Sequence, residues 1–338
     1  MNSKLSLILL LAISALAGCG GGGSSGSAGA TTSTAAKVSI TTSNQSTITN
    51  AAVKSATQNL TSGYLTTVGG VQTSTTPTNE RVLSQWTDFA FKKMAEHQSS
   101  PPTVAGAVTT SACDSGNISF DTDGSGTAAP TYFTISFNNC VLGTTTANGT
   151  LALSNLAITY NTATPKAATS ISATFTFNLT ASNASTSVGM YGGFNIAATG
   201  IGSVSRTDSI SGTSFNVKVG SKYETLSNFA FTSSYNDSGL THGYSDTVDY
   251  SFASDVILAG FDFHTIMPLV RNYLDSYPRS GQVEITGANS TKLKVTVVSG
   301  SFSAGSSSGT VELQLSQDGG LTYGAAVIKT WAQLALGQ

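Results

Sequence analysis

The chain has 338 residues, of which only 9% are Asp, Glu, Lys or Arg, and its formal net charge is −2; an ordinary soluble protein carries roughly 25% charged residues. With no basic cluster, this composition argues against nucleic-acid binding and against membrane attachment through a polybasic patch. The length suffices for one large or two modest domains, whose surface must be solvated mainly by Thr, Ser and Asn.

At the start, Lys4 precedes the apolar run "LSLILLLAISALA" and small residues, the layout of an export signal too short to remain as a spanning helix. The run ends in Leu16-Ala17-Gly18-Cys19, which resembles the bacterial lipobox. The resemblance implies a signal peptide over 1–18, cleavage before Cys19, diacylglycerol on its thiol, and an acyl chain such as palmitate on the new amino group. An ordinary secretory signal with an incidental cysteine is the alternative. Two or three chains anchor a protein stably, since each buried CH₂ adds about 0.8 kcal/mol. Gly20, rather than an aspartate, follows the cysteine; similarity to enterobacterial lipoproteins then implies the outer membrane, with the body facing the periplasm or the cell surface. Residues 20–36 are Gly, Ser, Ala and Thr alone, so the segment 19–40 reads as the lipidated cysteine and a flexible leash with a root-mean-square reach of roughly 23 Å. No later stretch is long and apolar enough to cross a membrane as a helix.

The segment 41–110 reads as helical. Ile48, Ala52, Ala56 and Leu60 fall four apart, the spacing of a helical stripe, although many threonines weaken it. Thr76-Pro77 resembles an N-cap and first helical position; Leu83, Trp86, Ala90 and Met94 then share a face, and Ser99-Ser100-Pro101-Pro102 ends the helix.

From 111 to 338 the period changes to two. Cys113 and Cys140 are an even pair once Cys19 is set aside, and an exported protein permits their oxidation. "NISF" and "YFTISF" flank the turn-rich "DTDGSGTAAPT". A hairpin centred between Gly126 and Thr127 sets Ile118 opposite Ile135, Phe120 opposite Phe133 and Cys113 opposite Cys140, closing the hairpin with a disulfide; two buried free thiols are the alternative. In "ISATFTFNL", Ile171, Ala173, Phe175, Phe177 and Leu179 alternate with small polar residues, as in a strand with one buried face. Similar runs recur through Leu315, and Gly220-Ser221 suits a two-residue II′ turn. About a dozen such strands with short connections predict a mainly β, α+β fold: a large antiparallel meander curled around one or two N-terminal helices, with a two-sheet β-sandwich as the alternative. "FNNC", "NGTLALS" and "YPRSGQVEITG" resemble a pattern of uncharacterised Ser/Thr-rich lipoproteins of Gram-negative bacteria, which implies shared architecture and no chemistry.

Four candidate sites emerge. Asp121, Asp123 and Ser125 with Gly126 form the opening half of a calcium loop, but the twelfth position is Tyr132 and supplies no closing carboxylate; weak calcium binding or a plain Asp/Gly hairpin loop are the two readings. "GSSSG" (305–309) and "GGSSG" in the leash match G-x-S-x-G without the strand-to-helix context of a nucleophile. His242 has Asp237, Asp246 and Asp249 nearby in an expected loop, and Asp262 lies two residues from His264; each offers a His–carboxylate pair for metal or acid–base work, or a solvated loop and a structural hydrogen bond. His97 stands apart. No CxxCH, HExxH or phosphate loop occurs.

These readings predict a noncatalytic envelope or surface module tethered by Cys19, its partners being the membrane and an envelope protein. A carrier of an apolar ligand is the alternative, and an enzyme is least favoured. A cavity lined by Phe175, Phe177, Phe229 and Phe231 would favour the carrier; a packed core would favour the module.

Overall fold

The computed structural model describes residues 32–33, 35–50, 52, 109–123, 131–162, 168–184, 187–237, 242–255, 258–272, 277–298 and 309–335. Within them a single antiparallel sheet runs in sequence order: β1 (Thr109–Ala112), β2 (Ser115–Thr122), β3 (Phe133–Leu142), β4 (Thr145–Tyr160), β5 (Ala168–Ser182), β6 (Ser187–Thr199), β7 (Ser205–Val219), β8 (Lys222–Asp237), β9 (His242–Ser254), β10 (Ala259–Asn272), β11 (Ser280–Thr286), β12 (Lys292–Val298), β13 (Thr310–Ser316) and β14 (Val327–Thr330). Each strand pairs with its neighbours in the chain, and among the described residues β1 and β14 do not pair with each other. The meander is as expected; one sheet, not two, carries the core.

Side-chain alternation explains the strands. Along β5, Ile171, Ala173, Phe175, Phe177, Leu179 and Ala181 are buried, while Ser172, Thr174, Thr176 and Asn178 point the other way. The same parity holds in β11, β12 and β13, and the buried residues of β2 to β13 form one cluster. Each fully buried Phe or Leu contributes roughly 1.5–3 kcal/mol. The polar face outward is the reverse of a membrane-spanning barrel, which turns its apolar side to lipid; among the described residues no helix is long and apolar enough to cross a membrane.

Register shifts interrupt the ladder. Asn139, Asn155 and Asn228 all have positive φ, and they fall at the register shifts between Phe137 and Cys140, Ser154 and Ala157, and Ser227 and Ala230. A bulge inserts an extra residue, tolerates a left-handed Asn, and increases local twist. At Gly149 (φ +111) a Cβ would lie 1.9 Å from the Asn178 carbonyl oxygen, so only glycine allows β4 and β5 to approach there. Between β7 and β8 the positive φ sits at Gly220, as a two-residue II′ hairpin requires.

The N-terminal segment straps one end of the sheet. Ser33 N–H donates to Thr225 Oγ1 (2.8 Å) and Ser33 Oγ to Asp255 (2.7 Å). Lys37 bridges Gly260 in parallel, Ala288 N–H donates to the Val38 carbonyl (2.8 Å), and Gln317 donates to the Ile40 carbonyl (3.2 Å). The strap thus touches the ends of β8 to β13 before the chain turns into α1 (residues 45–50, with 52 also helical). Ile48 and Ala52 of the predicted stripe are buried in the sheet core, and Tyr250 donates from its hydroxyl to the Ala52 carbonyl (3.1 Å). Ala56, Leu60 and the helix predicted after Pro77 lie outside the described residues. At the C-terminal side, α2 (Trp331–Ala335) brings Trp331 and Leu334 into the same core, with Trp331 stacked on Tyr277 at 4.9 Å between ring centroids.

Candidate functional site

The disulfide Cys113–Cys140 is present, with 5.5 Å between Cα atoms, but the hairpin register differs by two residues from the one expected. Ile118 faces Phe137 and Phe120 faces Ile135. A slip of two preserves parity, so Ile118 and Ile135 still share the buried face. The cysteines meet because Cys113 occupies the turn between β1 and β2, and a register shift between Ser115 and Asn117 and another beside Cys140 take up the difference.

Asp123 spends its carboxylate within the hairpin loop. Its Oδ1 accepts from Thr131 N–H (2.7 Å) and Tyr132 N–H (3.2 Å), and its Oδ2 accepts from the Thr131 hydroxyl. Burial pushes its pKa up, but these hydrogen bonds outweigh that and hold it below the ordinary value. Asp121 accepts from the Tyr132 hydroxyl (3.2 Å). Tyr132, which stands at the twelfth position where a calcium loop needs its closing carboxylate, therefore binds the loop's own acid. Ser125 lies outside the described residues, within which no group of three or more His, Cys, Asp or Glu stands ready for a metal.

His264 finds its carboxylate on the neighbouring strand: Nδ1 contacts Asp249 Oδ1, not Asp262. Asp262 instead accepts from Ser251 (2.8 Å) and pairs with Lys37. The imidazole is largely exposed on the polar face, with Glu284 opposite it on β11, so the arrangement is a solvated cross-strand ladder. Asp246 and Asp249 belong to β9 and not to a loop; His242 opens that strand opposite Asp237. His97, Cys19 and both G-x-S-x-G matches lie outside the described residues.

The group with the most unusual physics was missed by sequence reasoning. At the end of the sheet opposite the strap, two inward rows are polar except at Leu269. Arg206, Tyr235, Tyr244 and Arg271 stand opposite one another across β7, β8, β9 and β10; one step deeper, Asp208, Ser233, Asp246 and Leu269 do the same. The next row, Ile210, Phe231 and Val248, is apolar. Opposed residues of an antiparallel ladder share a face, so these rows form a polar rim on an apolar interior.

Within the rim Asp246 is 0% and Arg271 2% exposed. Arg271 Nε donates to Asp246 Oδ2 (2.9 Å), Ser233 Oγ donates to Oδ1 (2.6 Å), and the guanidinium lies 4.1 Å above the Tyr244 ring. Tyr244 packs on Tyr235 at 5.0 Å, and Arg206 Nε donates to Asp208 Oδ1 at 2.8 Å in a more exposed pair. Burial pushes the Asp246 carboxyl above its ordinary range although the Arg271 charge and the hydrogen bonds from Ser233 and Arg271 pull it down. Arg271 Nη2 is buried without a hydrogen-bond partner. Ser233 donates directly to a carboxylate with no imidazole between them, so this set lacks the base of an acyl-transfer triad. Period two in "DTVDYSFAS" places Asp246 at the parity of Val248 and Tyr250, a signal that was available. Arg271 likewise keeps the parity of Phe261, Phe263 and Leu269 in β10.

Comparison with family models, with curated proteins and with solved structures returns no match.

Proposed function

We propose that this chain is an outer-membrane lipoprotein, anchored through Cys19 and its leash, whose β body acts as a noncatalytic envelope or surface module that binds another envelope protein. The observation that carries the choice of module over apolar carrier is the filling of the inner face. Phe175, Phe177, Phe229 and Phe231 are 1–3% exposed. Phe175 and Phe177 lie 5.5 Å from Phe194, and Phe231 lies 6.0 Å from Tyr250. Their near-zero exposure, more than the spacing of neighbours along one sheet face, supports a filled interior with no room beside these rings for an apolar ligand.

The finer architecture belongs to the same proposal: the sheet curls around its N-terminal helical segment. Burial of Ile48 and Ala52 in the inner face supports it. The test is the Cys19→Ala variant in cells. Wild type is expected to incorporate labelled palmitate and partition into detergent, and the variant to do neither; equal partitioning of the two removes the anchor. Crosslinking on intact cells, with the same protein recovered repeatedly, is the expected outcome for a module, and recovery of the monomer alone counts against it.

A further inference from the structure

The two most exposed large apolar side chains among the described residues, Leu321 (86%) and Leu258 (75%), both stand in connections at the strapped end of the sheet. A singly exposed leucine needs no explanation by itself, but these two are held out by built structure. Leu258 ends the connection from β9 to β10, two residues before the Gly260 bridge to Lys37. Its φ is +53°, a left-handed conformation that is an outlier for a bulky residue. The connection reads DVIL, where a turn ordinarily takes Gly, Asn, Asp or Ser; in water, glycine or asparagine would hold the same backbone with less strain. Leu321 belongs to the loop from β13 to β14, which starts beside Gln317, itself a donor to the strap. There Asp318 accepts from Ser316 Oγ (2.6 Å) and from the N–H (3.0 Å) and hydroxyl of Thr322, Ser316 Oγ accepts from Gly320 N–H (2.8 Å), and Gly319 and Gly320 supply positive φ. The loop closes on its own polar groups and leaves the Leu321 side chain in solvent.

The point at which the chain leaves the body says what meets this end. Ser33 binds Thr225 and Asp255, so the residues before it depart from the strapped end. On the reading that Cys19 is acylated, on which this inference rests, residues 20–32 connect that end to the lipid, and a Gly/Ser-rich segment of this length reaches roughly 20 Å root-mean-square. Strand β8 alone has 16 residues, about 50 Å of extended chain. The strapped end is therefore kept near the membrane and the far end away from it. We propose that this end docks on the lipid surface itself, with Leu258 and Leu321 entering the boundary between headgroups and acyl chains. The contact is apolar in kind. Lys37 pairs with Asp262, and Asp255 accepts from Ser33 and from Tyr223 N–H (3.0 Å), so these charges beside Leu258 are already matched and select no headgroup.

The lipidated full-length chain is reconstituted in phosphatidylcholine vesicles with an environment-sensitive dye on a thiol introduced by Leu258→Cys, by Leu321→Cys or, in the exposed β6–β7 connection at the opposite end, by Val204→Cys. With Cys19 acylated and Cys113–Cys140 oxidised, that thiol is the free one of the chain. The dyes at 258 and 321 are expected to shift to the blue and to be quenched by phosphatidylcholine spin-labelled on its acyl chain, and the dye at 204 to do neither. A chain that floats with the vesicles but shows no quenching at 258 and 321, or equal quenching at all three positions, overturns the docking and leaves the anchor standing. A chain that does not float removes the anchor and the docking with it. Quenching that appears only when phosphatidylglycerol is added overturns the apolar contact in favour of headgroup charge. Leu258→Asn, which suits a left-handed backbone, is expected to raise the melting temperature of the body and to weaken quenching of the dye at 321; a melting temperature that does not rise overturns the claim that the leucine is held there against its own backbone preference.

Discussion

Two ion pairs on adjoining parts of the sheet behave oppositely because they face different sides of it. Arg271–Asp246 lies on the inner face and is sealed from water, whereas Lys292–Glu284 (2.7 Å) lies on the outer face, where Glu284 also accepts from the Tyr323 hydroxyl (2.8 Å) and Lys294 sits over the Tyr323 ring. Burial dominates the first carboxyl and raises its pKa. For Glu284 burial also pushes up, but hydrogen bonds from Lys292 and Tyr323 outweigh it and lower the pKa below 4.5. Attraction between opposite charges is thus a net gain only where solvent remains to share the desolvation cost.

The comparison is broken most severely on the inner face. Asp246→Ala is expected to lower unfolding free energy by about 3–5 kcal/mol, because it strands a buried guanidinium, whereas Asp246→Leu combined with Arg271→Met should recover most of that loss. Denaturant titration of the single and double variants checks both. Phe177→Ala, on the same face but with no charge involved, is expected to cost a similar 3–5 kcal/mol; a much smaller loss would mean that the packed rings are not the core.

Reducing Cys113–Cys140, separated by 27 residues, is expected to cost roughly 3–4 kcal/mol by freeing the unfolded chain. Thermal melts with and without reductant measure it, and the sheet signal should survive below the new midpoint.

The smallest effects sharpen the contrast. Lys292→Ala should cost under about 1 kcal/mol, as exposed pairs do. The pH dependence carries the sign. Asp246 has a folded pKa above its unfolded value, so its contribution becomes more favourable as pH falls from its raised pKa toward 3.8. Glu284 has a folded pKa below 4.5, so its contribution is present above 4.5 and is lost as pH falls through the folded value. Plotting the stability difference between wild type and Asp246→Asn, and between wild type and Glu284→Gln, against pH should give opposite slopes on the acid side. At the alkaline end Tyr323, pushed up to about 12 by burial and by Glu284, contributes stability that is lost as pH rises from 10 to about 12, and Tyr323→Phe should shrink that limb, leaving the part due to Tyr132 and Tyr191.

Much of this sheet is legible in the letters, because a strand with one buried face writes its parity into alternate residues. "ISATFTFNL" and "KLKVTVV" need no partner to be read. Pairing distance is harder. The two-residue error at the first hairpin arose because bulges at Gly116 and Asn139 add residues that parity does not record, since a shift of two leaves every side chain on its own face. The rim was hidden for a different reason. Arg271 keeps the parity of Phe261, Phe263 and Leu269, because the two register shifts in "TIMPLVRN" together preserve it; what the letters do not record is its pairing. Its partner Asp246 stands 25 residues away on another strand, where single-sequence reasoning takes an acid near a histidine for a loop.

The strap made by residues 33 and 35–40 sets how the body answers a mechanical load. A pull arriving through the residues before Ser33 meets hydrogen bonds to Thr225, Asp255, Gly260, Ala288, Thr291 and Gln317. These lie on several strand ends instead of on one edge strand, and Ser33 and Lys37 engage β8 and β10 in the middle of the meander. Force is therefore shared across the end of the sheet, which resists rupture better than unzipping β1 or β14 one bond at a time. It also reaches the molecule about 33 Å from the Arg271 rim, the ten extended-chain steps from Thr225 to Tyr235, so such a pull loads the strapped end first and the rim last.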